Sequence, residues 1–273
     1  MEGNSLNAAI FDLENVVILS ARLANDNPAP IVEIRNGDCI DLMLEMDADS
    51  VDLIVTSPPY PDHDMAYGDA YGGLKQFQDF SHGWIDHATR VLKPGGALWI
   101  NVGYYRADKW LRRVPMTYYL FPIGERVGLQ FIQEVVWNPS SRQATSKSRF
   151  SIKSERWMYW VKPGGERTFN LDAVKDPPKS GDKRNNKEYS LPVDVWTFNK
   201  IPGNSHERTA HPCPFPVAMI ERIVLACSNS GDTVMDPFGG QGTTGVAALK
   251  HGRSAILIEQ SAEYCEIARK QVA

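Results

Sequence analysis

The residues with the clearest chemical potential form the turn Ser57-Pro58-Pro59-Tyr60, which directly follows an apolar run. Proline fixes its own φ and pushes the preceding residue towards an extended conformation, so this turn should be stiff and sharply directed. The Ser57 oxygen and the Pro58 carbonyl could accept hydrogen bonds, and the ring of Tyr60 offers a flat face for stacking. Taken alone, the same turn could equally be a structural end of a strand.

These groups suit the methylation of an exocyclic amine on cytosine or adenine, whose lone pair is delocalised into the ring. Acceptors for its N–H groups would draw the nitrogen towards tetrahedral geometry and aim the lone pair at an electrophilic methyl group. No covalent enzyme intermediate is needed, so positioning would supply most of the rate. A base must leave the duplex to reach such a site, and Tyr60 could stack on it. The predicted catalytic residues are therefore Ser57, Pro58, Pro59 and Tyr60.

A glycine-rich segment, Asp236-Pro237-Phe238-Gly239-Gly240-Gln241-Gly242-Thr243-Thr244-Gly245, lies between a predicted strand and a predicted helix. Glycines let the backbone approach a ligand closely, and a helix N-terminus presents free N–H groups to an anion. Glu259 ends the next predicted strand, where an acid can accept hydrogen bonds from ribose hydroxyls. The segment is not a phosphate-binding loop, because no Gly-Lys-Ser/Thr follows. Turn and acid together predict an adenosine-type ligand, either a dinucleotide or S-adenosylmethionine, and a glycine turn that merely packs helix on strand is the alternative.

Apolar runs typical of strands covered on both faces alternate with segments of helix length. The predicted strands are Ile31–Arg35, Val51–Val55, Ala97–Val102, Phe131–Trp137, Trp157–Val161, Thr233–Met235 and Ala255–Ile258, and the predicted helices are Leu74–Leu92, Val217–Ser228, Thr243–Lys250 and Ala262–Gln271. This order predicts an α/β fold with a doubly wound, mostly parallel sheet that binds ligands at the carboxyl ends of its strands. Lys93-Pro94-Gly95-Gly96 should turn from a helix into the strand at Ala97, whereas Ala8–Leu23 could be helix or strand.

The charge of the chain is unevenly distributed along its 273 residues. The formal net charge is −4, which speaks weakly against a nucleic-acid partner. Between Arg142 and Lys187, however, twelve Lys and Arg stand against five Asp and Glu, so this block carries +7 and the remainder −11. A basic block on an acidic body is compatible with a DNA-facing surface, and also with an ordinary solvated loop.

Cysteine usage and hydropathy predict a cytoplasmic protein without a membrane partner. The four cysteines are widely spaced and indicate neither disulfides nor a zinc site. No uninterrupted apolar run reaches membrane-spanning length, and Met1–Asn7 lacks the layout of a secretion signal. Asp62, His63 and Asp64 could suggest a metal, but methyl transfer needs none.

In this order the motifs resemble those of the amino-group DNA methyltransferases of bacteria and their phages, the N4-cytosine/N6-adenine family. The catalytic turn comes first, the target-recognition segment second and the cofactor turn last, the order called β class in that family. The resemblance covers about Glu33–Gln271. Further similar segments are Asn36-Gly37-Asp38-Cys39, Arg90-Val91-Leu92-Lys93-Pro94-Gly95-Gly96-Ala97, Trp137-Asn138-Pro139, Glu155-Arg156-Trp157-Met158-Tyr159-Trp160-Val161-Lys162 and His211-Pro212-Cys213-Pro214-Phe215-Pro216.

The resemblance implies a Rossmann-like methyltransferase fold, S-adenosylmethionine as cofactor, S-adenosylhomocysteine as product and no metal. Asp38 should contact the adenine amino group of the cofactor, and the implied cofactor-binding residues are Asp38, Cys39, His211, Phe215, Asp236, Phe238, Gly240, Gly242, Thr243, Thr244 and Glu259. Lys and Arg can neutralise phosphates or read base edges. The basic residues expected at the DNA are Arg142, Lys147, Arg149, Lys153, Lys175, Lys179, Lys183, Arg184 and Lys187.

The same resemblance implies the boundaries of the functional segments and the base that is methylated. Residues 1–30 are an N-terminal extension, 31–161 the catalytic part, 162–209 an irregular target-recognition insertion and 210–273 the cofactor-binding part. Ser57 and the His-Pro-x-x-Phe-Pro segment are similar to the N4-cytosine branch, since the adenine branch more often has an acid or asparagine at position 57. N4 of cytosine is thus the expected target and N6 of adenine the alternative.

Two further classes of function share parts of this pattern. Methylation of RNA or of a protein amide uses the same fold, and an inactive DNA-binding module would keep the fold alone. The basic block and the motif order argue against the first, and the intact Ser57, Tyr60, Asp38 and Glu259 argue against the second. Double-stranded DNA is the expected partner, and the family resemblance allows a cognate restriction endonuclease and a homodimer.

Overall fold

The computed structural model describes residues 9–13, 16–20, 29–59, 61, 73–106, 113–139, 150–177, 189–201 and 215–273. The strands are β1 Ala9–Leu13, β2 Val16–Ser20, β3 Ile31–Asn36, β4 Val51–Thr56, β5 Leu92–Val102, β6 Tyr104–Arg106, β7 Arg113–Pro115, β8 Gln130–Trp137, β9 Glu155–Val161, β10 Val195–Trp196, β11 Thr233–Asp236 and β12 Ser254–Glu259. The helices are α1 Cys39–Leu44, α2 Leu74–Val91, α3 Thr117–Arg126, α4 Val217–Cys227, α5 Thr243–Lys250 and α6 Ala262–Val272, with a 3₁₀ turn at Leu171–Val174.

Ten of the strands form one sheet in the order β1-β2-β3-β12-β11-β4-β5-β9-β8-β10. The five strands from β3 to β5 in this order are parallel to one another. The hairpin β1–β2 extends the sheet antiparallel to β3, and β9 is antiparallel to both β5 and β8. The predicted doubly wound, mostly parallel α/β sheet is confirmed. Within the segment that could have been helix or strand, the described residues Ala9–Leu13 and Val16–Ser20 are strands.

Helices cover both faces of the sheet, which is why its central strands are apolar on both sides. Residues of α4, α5 and α6 pack with Leu53 and Val55 of β4 on one face. Residues of α1, α2 and α3 pack with Val51 and Ile54 of the same strand on the other. In the described part of the chain, none of the helices is long and apolar enough to cross a membrane.

The turn predicted ahead of Ala97 is wrong, because β5 already begins at Leu92, directly after α2. Val51 of β4 lies opposite Leu92 and Leu53 opposite Ala97, so the intervening residues of β5 bulge from the ladder. Gly95 has a φ of 84°, and its N–H donates to the carbonyl of Lys162 at 2.8 Å. The prolyl-glycyl segment is therefore held against the chain that leaves β9.

The described part of the insertion, residues 162–177 and 189–201, packs against the body of the protein. Val174 and Trp196 are buried in the same apolar cluster as α4, and β10 joins the sheet beside β8. Asn170 donates its side-chain amide to the carbonyls of Leu225 at 3.2 Å and Ser228 at 2.9 Å, which satisfies the C-terminal end of α4. This segment shares the core of the α/β domain.

We expect Gly95→Ala to destabilise the fold far more than Gly128→Ala, because only the first would meet backbone. The two glycines have nearly the same φ, 84° and 83°. A Cβ on Gly95 would lie 2.3 Å from the Glu166 carbonyl oxygen, whereas a Cβ on Gly128 would have nothing within 4 Å. Gly128→Ala should cost about 1–2 kcal/mol for its left-handed backbone, and Gly95→Ala a further ~2 kcal/mol or more. Urea unfolding measures both, and equal losses would contradict the backbone contact.

Candidate active site

A cavity of about 610 Å³ opens where β3, β4, β11 and β12 end. β11 and β4 are neighbours in the sheet, yet α5 follows β11 on one face and α2 follows β4 on the other. Open α/β sheets bind ligands at such a switch point, outside the carboxyl ends of the strands. The volume is in the range usual for cofactor sites.

Most of the predicted site residues meet in this cavity. Its lining includes Ser57, Pro58, Pro59, Asp38, Cys39, Phe215, Asp236, Phe238, Gly240, Thr243, Thr244 and Glu259. Gly242 is the N-cap of α5, with a φ of 91°, and stands behind the lining against Ala268. Tyr60 and His211 lie outside the described residues.

The catalytic turn is held at the end of the central strand β4. Pro58 is buried and Ser57 and Pro59 are half-buried, and all three line the cavity. Thr56, the last residue of β4, is 1% exposed, and its hydroxyl donates to Oδ1 of Asp236 at 2.7 Å. The turn is thus joined directly to the strand end that begins the glycine-rich segment.

Glu259 holds the glycine-rich turn through hydrogen bonds to the backbone. Its Oε2 accepts the N–H of Gly240 at 2.9 Å, and its Oε1 accepts the N–H of Ser261 at 2.8 Å. Burial raises the pKa of the Glu259 carboxyl, and these backbone hydrogen bonds oppose that shift. Each carboxylate oxygen has a second lone pair, so the carboxylate can still accept two bonds from a ligand in the cavity.

Asp38 and Cys39 line the cavity just after β3 ends. Oδ1 of Asp38 accepts the N–H of Ile40 at 2.8 Å and caps α1, which leaves Oδ2 for a further donor. Burial raises the pKa of the Cys39 thiol to about 12, so this side chain is a neutral apolar neighbour of the cavity.

The glycine-rich turn leads into α5, which begins beside the cavity. Gly240 and Gly242 have φ values of 52° and 91°, which glycine adopts without strain. The turn closes through Gly242 N–H donating to the Gly239 carbonyl at 2.9 Å. The first N–H groups of α5, at Thr243 and Thr244, have no carbonyl partner within the helix and favour an anionic group.

Aromatic rings supply the apolar walls. Phe238 lies edge-on to Trp84 with ring centroids 5.4 Å apart, and it also contacts Phe80 at 5.8 Å. On the other side Phe215 packs on Trp157 at 5.4 Å. Phe80 lines the cavity from α2, which brings an aromatic wall residue from outside every sequence motif.

Eight lining residues other than Phe80 were absent from the predicted site residues. They are Gly37, Pro237, Gly239, Gln241, Ile258, Gln260, Ser261 and Tyr264. Ser261 caps α6 by accepting the N–H of Tyr264 at 3.4 Å. A serine two residues after a strand-ending acid and just before a helix is an N-cap signal that could have been recognised.

The structure describes two of the basic residues predicted at the DNA. Lys153 is exposed. Lys175 forms an ion pair with Asp172, and its ammonium lies 3.8 Å from the centroid of the Tyr189 ring. The others, Arg142, Lys147, Arg149, Lys179, Lys183, Arg184 and Lys187, lie outside the described residues. Asp62, His63 and Asp64 do so too, and among the residues that are described no cluster of His, Cys, Asp and Glu could hold a metal.

We expect the stability of the wild type to fall relative to Asp236→Asn as the pH rises. Burial raises the pKa of Asp236 from 3.8 to about 6, against hydrogen bonds from Thr56, Thr244 and Phe238, and the charge of Glu259 adds to the rise. The folded state therefore binds the proton more tightly than the unfolded chain, and its stability is lost as pH rises from about 4 through about 6. The asparagine cannot ionise, so the difference in unfolding free energy should change by on the order of 3 kcal/mol.

Urea unfolding of both proteins across this pH window measures that difference. All other titrating groups are common to the two proteins, so the difference isolates position 236. Parallel pH profiles would contradict the raised pKa.

The fold and the cavity suit an α/β protein that binds an adenosine-type ligand, and comparison with known proteins defines its class. The family model for DNA methylases that modify N6 or N4 amino groups matches residues 51–270, and the chain belongs to this family. The chain is 37% identical to the Type II methyltransferase M.ScaI of Streptomyces caespitosus, over 87% of this chain and 80% of that protein.

Solved structures agree with this assignment. TTHA0409 from Thermus thermophilus, solved with S-adenosyl-L-methionine, has a TM-score of 0.65 and 26% identity, covering 88% of this chain and 94% of that one. The cytosine-N4-specific PvuII DNA methyltransferase has a TM-score of 0.71 at 20% identity, covering 89% and 86%, a likeness of fold. The predicted resemblance to the amino-group DNA methyltransferases is confirmed.

Proposed function

We propose that this protein transfers a methyl group from S-adenosylmethionine to the N4 amino group of cytosine at a specific sequence in duplex DNA. The observation that carries the proposal is the shared cavity, in which Ser57-Pro58-Pro59 stands beside the glycine-rich turn and Glu259. Ser57-Pro58-Pro59 suits the reacting amine, and the glycine-rich turn with Glu259 suits an adenosine-type cofactor. S-adenosylhomocysteine is the product.

The cofactor is oriented by the two acids and by the turn. Glu259 accepts hydrogen bonds from the ribose hydroxyls through the lone pairs that Gly240 and Ser261 leave unused. Asp38 accepts the adenine amino group with Oδ2, because its Oδ1 caps α1. The N–H groups at the start of α5 receive the carboxylate of the methionine part.

The catalytic turn positions the target nitrogen. The Ser57 oxygen and the Pro58 carbonyl accept its two N–H groups, so its lone pair points at the methyl carbon. The nitrogen–carbon bond forms while the carbon–sulfur bond breaks, and the electron pair of that bond stays on sulfur. The nitrogen then releases a proton to solvent. Most of the rate comes from holding the two reactants in line.

The choice of cytosine depends on the side chain at position 57. A serine hydroxyl offers one neutral oxygen beside the Pro58 carbonyl, the arrangement associated with the N4-cytosine branch. Methylation of adenine at N6 by the same residues is the second candidate, and the family includes both chemistries.

Duplex DNA approaches the carboxyl edge of the sheet in this proposal. The flipped cytosine enters beside Ser57, with Tyr60 following in the sequence as a stacking face. The basic block between Arg142 and Lys187 neutralises phosphates. Because the relative M.ScaI is a Type II methyltransferase, a cognate restriction endonuclease is the expected companion.

Nucleoside analysis tests the proposal. The protein is incubated with methyl-labelled S-adenosylmethionine and mixed-sequence duplex DNA, the DNA is digested, and the labelled nucleoside is identified. N4-methylcytosine is expected. N6-methyladenine would replace the first proposal by the second, and label in RNA or protein but not in DNA would overturn both.

A further inference from the structure

Both oxygens of the Asp236 carboxylate are already occupied within the protein. Oδ1 accepts the Thr56 hydroxyl at 2.7 Å and the Phe238 N–H at 3.1 Å. Oδ2 accepts the Thr244 hydroxyl at 2.7 Å. Asp236 is 7% exposed and the two threonines are 1% and 3% exposed, so bulk water does not compete for these bonds.

The three residues belong to the two halves of the site. Thr56 ends β4 and directly precedes Ser57, whereas Thr244 is in the first turn of α5 on the cofactor side. Asp236 ends β11, which pairs with β4 through Val234 opposite Leu53 and Met235 opposite Ile54. The carboxylate therefore connects the last residue before the catalytic turn with the helix that follows the glycine-rich turn.

We propose that Asp236 is a positioning residue, which sets the distance between the catalytic turn and the cofactor through Thr56 and Thr244. This inference rests on the proposed methyl transfer and adds Thr56 to the residues that determine its rate. Only one peptide bond separates Thr56 from Ser57, and the prolines that follow stiffen the turn. A displacement of Thr56 is thus passed on to both acceptors of the target amine.

The hydrogen bond between Thr56 and Asp236 affects the transition state more than it affects cofactor binding. Reacting atoms must stand in line at near contact, and a displacement of about 1 Å can cost about a hundredfold in rate. The cofactor is held mainly by other groups, so its affinity depends little on Thr56.

Steady-state kinetics and S-adenosylmethionine binding by calorimetry test the inference on Thr56→Val, Thr56→Ser and Thr244→Val. Thr56→Val keeps the shape but removes the hydroxyl, and we expect turnover to fall by about 10- to 100-fold while the dissociation constant of the cofactor changes by less than about threefold. Thr56→Ser keeps the hydroxyl and should restore turnover to within about threefold of the wild type.

Thr244→Val is the matched variant, since it removes one hydrogen bond from the same carboxylate on the cofactor side. It should weaken cofactor binding more than Thr56→Val does. The inference is overturned if Thr56→Val keeps wild-type turnover, if Thr56→Ser is as impaired as Thr56→Val, or if the two valine variants lose turnover and affinity in the same proportion. A wild type that methylates no DNA base would instead overturn the proposed function, and the inference with it.

Discussion

Ser57→Ala is expected to lower the turnover of methyl transfer by about 100- to 1000-fold, the usual loss when one positioned polar partner of a reacting group is removed. Ser57 lies at the carboxyl end of β4 and lines the cavity beside Pro58. Its oxygen is one of two proposed acceptors for the target amine, and alanine has none. In the proposed site the cofactor is held by Glu259 and the glycine-rich turn, so its dissociation constant should change by less than about twofold.

Ser50→Ala provides the matched control for this variant. Ser50 stands just before the opposite end of β4, where its hydroxyl donates to the Asp47 carbonyl at 2.8 Å. Turnover of this control should equal that of the wild type. Single-turnover kinetics and calorimetric titration with S-adenosylmethionine separate the two effects in Ser57→Ala. Equal losses of rate and affinity would mean that Ser57 is structural, and an unchanged rate would remove its role as an acceptor.

Glu259→Ala is expected to weaken S-adenosylmethionine binding by about 30- to 300-fold. The proposed ribose contacts are hydrogen bonds to a charged group, each worth about 1.5–3 kcal/mol. The same substitution removes the acceptors of the Gly240 and Ser261 N–H groups, which lie 2.9 and 2.8 Å from the carboxylate. The substitution therefore removes the hydrogen bonds that hold the glycine-rich turn as well as the proposed hydrogen bonds to the ribose.

Two comparison variants sharpen this test. Glu263→Ala removes the same charge from the exposed first turn of α6, four residues away, and should leave the affinity unchanged. Glu259→Gln keeps one acceptor oxygen and should fall between the wild type and the alanine variant. Calorimetric titration with S-adenosylmethionine measures the affinity of all three variants, and urea unfolding of the free proteins measures their stability. An affinity of Glu259→Ala equal to that of the wild type would falsify the ribose assignment.

The elements that carry the site could be predicted because their signals are local. β4 is a short apolar run that ends at two prolines, and α5 begins at a glycine-rich turn. Missed elements lack such signals. α3 contains Pro122 and Gly124, which read as loop residues, yet Gly124 is needed because a Cβ there would lie 2.8 Å from the ring of Trp160. α1 has only six residues, too few to show helical periodicity.

The contacts between residues within the site could not be predicted from the sequence, because they depend on the tertiary structure. Phe80 reaches the cavity from the middle of α2 by packing on Phe238, and no spacing in the sequence links these two rings. Asp236 was predicted to contact the cofactor, and it does line the cavity, but its oxygens are shared between two threonines. A pattern of residue types identifies an acid near a ligand, whereas its hydrogen-bond partners follow from strand register.

The adjacency of β4 and β11 has a consequence for how the polypeptide is made. Thr56 and Asp236 are bonded across 180 positions of sequence, so the centre of the sheet joins an early segment to a late one. While the ribosome is still translating the intervening residues, β4 has already been synthesised but β11, one of its partner strands, has not yet emerged. Such non-local pairing slows folding and leaves the edge of β4 unpaired and prone to aggregation. Nascent chains arrested before β11 should therefore recruit chaperones, and release of the arrest should allow the sheet to close.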